Sequence, residues 1–72
     1  MDVRTFLRNT SPEGRERVAA RAGTTVAYLQ QLAGGHSRAS AELSVRIEQA
    51  SDGLITREEL RPDLFVRQDS AA

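Results

Sequence analysis

The sequence predicts an all-α fold of five short helices, and three observations carry that prediction. Apolar residues recur at helical spacings of three and four rather than at the two of a strand. Each apolar stripe follows a Ser, Thr or Asp able to cap a helix, and glycine or proline interrupts the chain after most of them. No stretch alternates apolar and polar residues, and there is no internal repeat.

Taken in order, Val3, Phe6 and Leu7 form the stripe of a first helix of about two turns behind the cap Asp2, ending near Asn9 and Thr10. Ser11 and Pro12 start the second: the serine oxygen accepts an orphan amide, and proline lacks an amide that would go unpaired anyway. Its inward stripe is Val18, Ala19 and Ala22, with Arg15, Glu16 and Arg17 toward solvent, and Gly23 ends it by accepting a left-handed backbone. Thr24 then offers the next cap, for a third helix from Thr25 to about Ala33 that Gly34 or Gly35 closes. After a loop over 36–39, Ser40 caps a fourth helix with the stripe Leu43, Ile47 and Ala50, stopped at Asp52 and Gly53. Thr56 and Glu59 make a capping box for a short fifth helix, which Pro62 stops after Leu60. Leu64 and Phe65 are expected to fold back on the core. The domain then spans 1–66, and 67–72 has nothing to bury and reads as a disordered tail.

A chain of 72 residues makes one domain, whose core supplies only roughly 3 to 5 kcal/mol of net stability, so a partner copy would help it. It has no cysteine and a single His36, which excludes a disulfide framework and a thiolate metal site; no metal or cofactor is called for. No apolar run reaches the 18 or so residues of a membrane span and the start lacks the pattern of a signal peptide, so a cytoplasmic chain with no membrane partner is expected. The formal net charge is zero, yet 1–40 carries six arginines against three acids and 41–72 four against seven. Local potential, not the sum, attracts a polyanion, so the basic half points to nucleic acid.

From Arg15 to Gly35 helix, glycine and helix follow with no spare residues, the layout of a helix-turn-helix. Ala19 supplies the small residue that lets the two backbones approach, and Leu29 and Leu32 supply apolar anchors. With each residue turning the helix by about 100°, Leu29, Leu32 and Ala33 share the core face. Ala27, Gln30, Gln31 and Gly34 gather opposite, with Val26 at the boundary. An ordinary solvated face carries Lys, Glu or Arg, whereas 24–35 contains no charged residue. Such a face suits base edges: Gln pairs bidentately with adenine, Ala or Val touches a thymine methyl, and glycine permits close approach. The same pattern would suit a helix held against another protein, and the spacing alone would suit any helical hairpin. Around this face Arg15, Arg17 and Arg21 before the turn and Arg38 after it read as phosphate contacts, which position without specifying. Thr24 and Thr25 at the positive helix end, the Tyr28 hydroxyl and His36 in the loop are further phosphate donors.

Ala19, Gly23, Thr24, Thr25, Leu29, Gln30, Gln31, Leu32, Gly34 and Gly35 resemble the helix-turn-helix of phage Cro and cI repressors, the lambda repressor-like fold. Ser11-Pro12-Glu13, Arg21 to Thr25, Tyr28-Leu29, Gly35-His36, Ser40, Arg46-Ile47-Glu48 and Ile55 through Leu64 are similar to the YdaS group of Cro-like proteins, over nearly the whole chain. That resemblance implies a compact domain of five helices acting as a repressor and binding double-stranded operator DNA as a homodimer. Two-fold symmetry would set the reading helices about 34 Å apart on an imperfect palindrome. Carried over by position, the base-reading sites are Thr25, Val26, Ala27, Gln30 and Gln31. Many such repressors have polar residues where Val26 and Ala27 stand, which leaves fewer hydrogen bonds for direct readout and more reliance on DNA shape. The dimer surface is sought at Val45, Phe65 and Val66. The group's description as prophage antitoxins adds a second reading, an interaction module whose acidic half engages a basic toxin. An enzyme is the weakest reading: there is no phosphate-binding glycine loop after a strand and no nucleophile with its base.

Overall fold

The ends of three helices are closed by one device, and these closures set the path of the chain. The computed structural model describes residues 1–65. It holds α1 (Val3–Arg8), α2 (Pro12–Ala22), α3 (Val26–Ala33), α4 (Ala41–Ala50) and α5 (Arg57–Leu60), with no strand among the described residues. At the end of α2, Gly23 takes φ 76° and the Thr24 amide reaches back to the Ala19 carbonyl at 2.9 Å. At the end of α3, Gly35 takes φ 78° and the His36 amide donates to Gln31 O at 3.0 Å. At the end of α4 the left-handed residue is Asp52, φ 54°, and the Gly53 amide donates to Glu48 O at 2.8 Å. Each closure satisfies orphan carbonyls and reverses the chain within two residues. A Cβ added at Gly23 would meet nothing within 4 Å. The demand for glycine there is therefore one of dihedral angle, not of space.

The start signals act as the sequence implies. Asp2, Ser11 and Ser40 accept the amides of Thr5, Gly14 and Leu43 at 2.7, 3.1 and 3.1 Å, and Thr56 with Glu59 forms a complete capping box. Each such cap stabilises its helix by about 1 kcal/mol. One cap lies elsewhere than expected. Thr25, not Thr24, caps α3, its hydroxyl oxygen accepting the Tyr28 amide at 3.1 Å. The reason is that the Thr24 amide is still engaged in closing α2, so the next helix starts one residue later.

The core joins Val3, Phe6 and Leu7 of α1, Val18, Ala19 and Ala22 of α2, Leu29 of α3 and Leu43, Ile47 and Ala50 of α4, with Ala39 and Ile55 from the connections. α2 lies against α3 and α4, α1 against α3, and α5 against α4. Leu29, Ile47 and Ile55 are fully buried. Ser51 is buried as well; its hydroxyl accepts the Ile55 amide at 3.1 Å and so ties down the turn after α4. Two expectations change. Leu64 does not fold back but is 48% exposed, because it and Phe65 both donate their amides to Arg61 O in a tight turn. Phe65 is half-buried and stacks under the Arg57 guanidinium, 5.6 Å from ring centroid to Cζ. Val45 is half-buried rather than exposed. Val66 and the tail at 67–72 lie outside the described residues.

Candidate nucleic-acid interface

The projection of α3 holds in three dimensions. Leu29 is fully buried, Leu32 and Ala33 are half-buried against the core, and Ala27, Gln30, Gln31 and Gly34 are exposed. Val26 sits at the boundary, half-buried on the core, so only part of its surface faces outward. Thr25 is exposed at the helix mouth; its oxygen is occupied as a cap acceptor, which leaves its hydroxyl hydrogen to donate. Tyr28 is half-buried with its ring packed on the core. Short capped ends, Thr25 before and Gly34 and Gly35 after, keep this face to eight residues.

Two neighbours shape its C-terminal end. The Ser37 hydroxyl donates to Gln31 Oε1 at 3.2 Å, which fixes the carbonyl side of that amide and turns its NH2 into the free group. The His36 ring lies against Gly34, where an added Cβ would come within 2.9 Å of Cδ2. Neither Ser37 nor this contact was foreseen; both depend on how the loop after Gly35 folds back.

The arginines divide sharply. Arg17 and Arg21 are exposed on α2, and Arg4 and Arg8 on α1. Among the described residues none of these four is ion-paired, nor is Arg15. Arg15, expected toward solvent, is instead half-buried, because its Nε donates to Leu7 O at 2.8 Å and Thr10 O at 3.0 Å and so closes the end of α1. Arg46 instead pairs with Glu42 at 2.8 Å and Arg57 with Glu48. Arg61 forks onto both oxygens of Asp63 at 2.9 and 2.8 Å and donates to Ala39 O. The fork holds the Asp63 carboxyl down to about 2. Arg38, read as a phosphate contact, is 70% exposed yet stands 3.7 Å from Asp63, so its charge is partly answered within the chain.

Beside α3, a shallow groove of about 340 Å³ is lined by Arg4, Leu7, Arg8, Arg15, Gln30, Ala33 and Gly34. Arg4 and Arg8 are thus brought to the flank of the uncharged face of α3. No local pattern places α1 there, because its packing on α3 is a tertiary event. A second groove, of about 570 Å³, mixes Arg4, His36 and Arg38 with Asp2 and Glu59, a lining of both signs that has no preference for a polyanion. No helix among the described residues is long and apolar enough to cross a membrane.

This geometry can be set beside known proteins. The family model described as "Bacterial toxin YdaS" matches residues 13–69, most of the chain. The chain belongs to the YdaS family. The matched region takes in α2 from its second residue, α3, α4 and α5, and so the helix-turn-helix over 15–35. The YdaS chain is also 30% identical over 63 residues, 88% of its length and 96% of the relative's, to a protein of Escherichia coli (strain K12) called "Prophage transcriptional regulatory protein". Both names point to a regulatory protein and not to an enzyme. The family description says toxin where the resemblance had implied antitoxin; the two words stand on opposite sides of such a pair.

Proposed function

We propose that this chain is a sequence-specific DNA-binding transcriptional regulator, a repressor of phage or prophage type that lays α3 in the major groove. One observation carries the reading: the exposed face of α3 bears no charge, while among the described residues the arginines of the two preceding helices are free of carboxylates. A water-facing helix has no need of such a face, and base edges do. The similarity to a prophage transcriptional regulatory protein supports it.

In this reading Gln30 and Gln31 supply the hydrogen bonds to bases, Ala27 and the outward part of Val26 touch thymine methyls, and Thr25 donates at the helix mouth. Arg17, Arg21, Arg15, Thr24, Tyr28, His36 and Arg38 frame the face toward phosphates, Arg38 the least of them because of Asp63. Two copies on an imperfect palindrome would occlude polymerase, in the cytoplasm, where the nucleoid lies. The apolar surface for pairing is Leu54, 51% exposed, with Leu64. The rival reading, an acidic half that docks a basic toxin, loses support from the geometry. Of its acids Glu42, Glu48, Asp63 and Glu59 already meet Arg46, Arg57, Arg61 and the Thr56 cap, which among the described residues leaves Asp52 and Glu58 for a partner. The test is a gel shift on duplex DNA across salt concentrations: affinity falls steeply as salt rises, and an affinity independent of salt rejects the phosphate frame.

A further inference from the structure

We propose that the groove between α1 and the C-terminal half of α3 binds a phosphate of the DNA backbone, with Arg4, Arg8 and Arg15 as its cationic wall. This rests on the DNA-binding reading and adds to it a contact made by a helix outside the helix-turn-helix.

Two of the three guanidinium groups are held by backbone carbonyls. Arg15 is anchored through Nε to Leu7 O and Thr10 O at the end of α1, and Arg4 through Nη2 to Ala33 O at 3.5 Å, at the end of α3. Backbone carbonyls fix a guanidinium in place without neutralising it. Arg8 is exposed, with no hydrogen bond or ion pair to its side chain among the described residues. Asp2, two residues before Arg4, accepts the Thr5 amide and is not among the residues that line the groove. Three like charges therefore line one groove with no carboxylate among its lining residues. Their mutual repulsion is relieved by an anion that enters the groove.

The rest of the lining suits a phosphodiester that runs past α3. Leu7 and Ala33 give an apolar floor, Gly34 adds no side chain to the rim, and Gln30 both lines the groove and belongs to the exposed face of α3. A strand whose bases meet Gln31 would carry its backbone along this flank. Arginine suits the task because its planar fork matches two phosphate oxygens at once.

The experiment uses the full chain and a random-sequence duplex of about 20 base pairs, two turns of DNA, with dissociation constants measured between about 50 and 200 mM salt. Arg8→Gln and Arg4→Gln are the test variants; Arg8 makes no internal bond whose loss could unfold the chain. Arg46→Gln, whose charge Glu42 already answers, is the control. Each test variant is expected to lower the slope of log affinity against log salt by about one and to weaken all sequences alike, while the control leaves the slope unchanged. If the wild-type chain binds duplex DNA and both test variants keep its slope, the groove is not a phosphate site and the DNA-binding reading stands. If the wild type binds no duplex at all, both fall. A parallel titration of the DNA-free chain with inorganic pyrophosphate, followed by amide shifts of Ala33 and Gly34, separates the sources. Saturable shifts there with unaltered duplex slopes would assign the groove to a free ion and overturn the proposal.

Discussion

The arginines of α1 and α2 and the four at 38, 46, 57 and 61 are chemically identical, yet among the described residues only the second group meets carboxylates. Among the described residues Arg4, Arg8, Arg15, Arg17 and Arg21 have no ion pair, and Arg38, Arg46, Arg57 and Arg61 each have an acid within 4 Å. The difference teaches that a formal charge of zero conceals a segregated surface. One half of the domain uses its charges on itself, to hold α4, α5 and the turn after them. The other half keeps its charges available, and the uncharged face of α3 lies beside them. In the proposed reading, structure and recognition draw on the same residue type, and the placement of acids separates the arginines that hold the fold from those left to meet DNA.

The largest effect comes from removing what both halves share. Leu29→Ala empties a fully buried position between α3 and the rest of the core; a loss of about 2 to 5 kcal/mol is expected. That approaches the whole stability of a domain this small, so the thermal transition should collapse and DNA binding should vanish with it. Next comes the reading face. Gln31→Ala should lose roughly 1 to 3 kcal/mol on a selected operator and much less on random duplex, with an unchanged melting curve; equal losses on both would show that the face does not read bases. Smaller again is the direct contrast between halves. Arg21→Gln should lower the salt slope by about one without altering stability. Arg57→Gln should leave the slope alone and cost about 1 kcal/mol or less of stability, since its pair with Glu48 is only partly buried. A reversal of these two results would break the comparison.

The smallest effect is with pH. Asp63 is held at about 2 by the Arg61 fork, below its ordinary 3.8. Glu59 is also lowered: partial burial pushes it up, but hydrogen bonds from the Met1 ammonium and Thr56 outweigh that. For a lowered carboxyl the stabilisation is complete above the ordinary value and is lost as pH falls toward the folded one, because the unfolded chain takes up the proton first. Urea midpoints should therefore hold above about pH 5 and decline toward pH 2, and Asp63→Asn should flatten part of that decline.

Most of the fold could be read in advance because its signals are local. Asp2, Ser11, Ser40 and Thr56 cap where their neighbours say they should, and the stripe through Leu29 fixes which side of α3 faces out. What could not be read depends on parts of the chain meeting at a distance. Ile55 and Ala39 belong to no helical stripe, yet both are buried once α4 and α5 close over them. Arg4 and Arg8 gain their place beside Gln30 only because α1 packs on α3. Leu64 reads as core by composition and is carried outward by the turn at Arg61. Thr24 and Thr25 are alike as caps, and a backbone bond to Ala19 chose between them.

The central claim is that α3 reads DNA through Gln30 and Gln31, and selection of bound duplexes from a random pool tests it most directly. The wild-type chain should enrich an imperfect palindrome with half-sites about 10 base pairs apart, and Gln31→Ala should relax one position in each half-site while keeping the spacing. Enrichment of no sequence, or of the same motif by both chains, would contradict the claim.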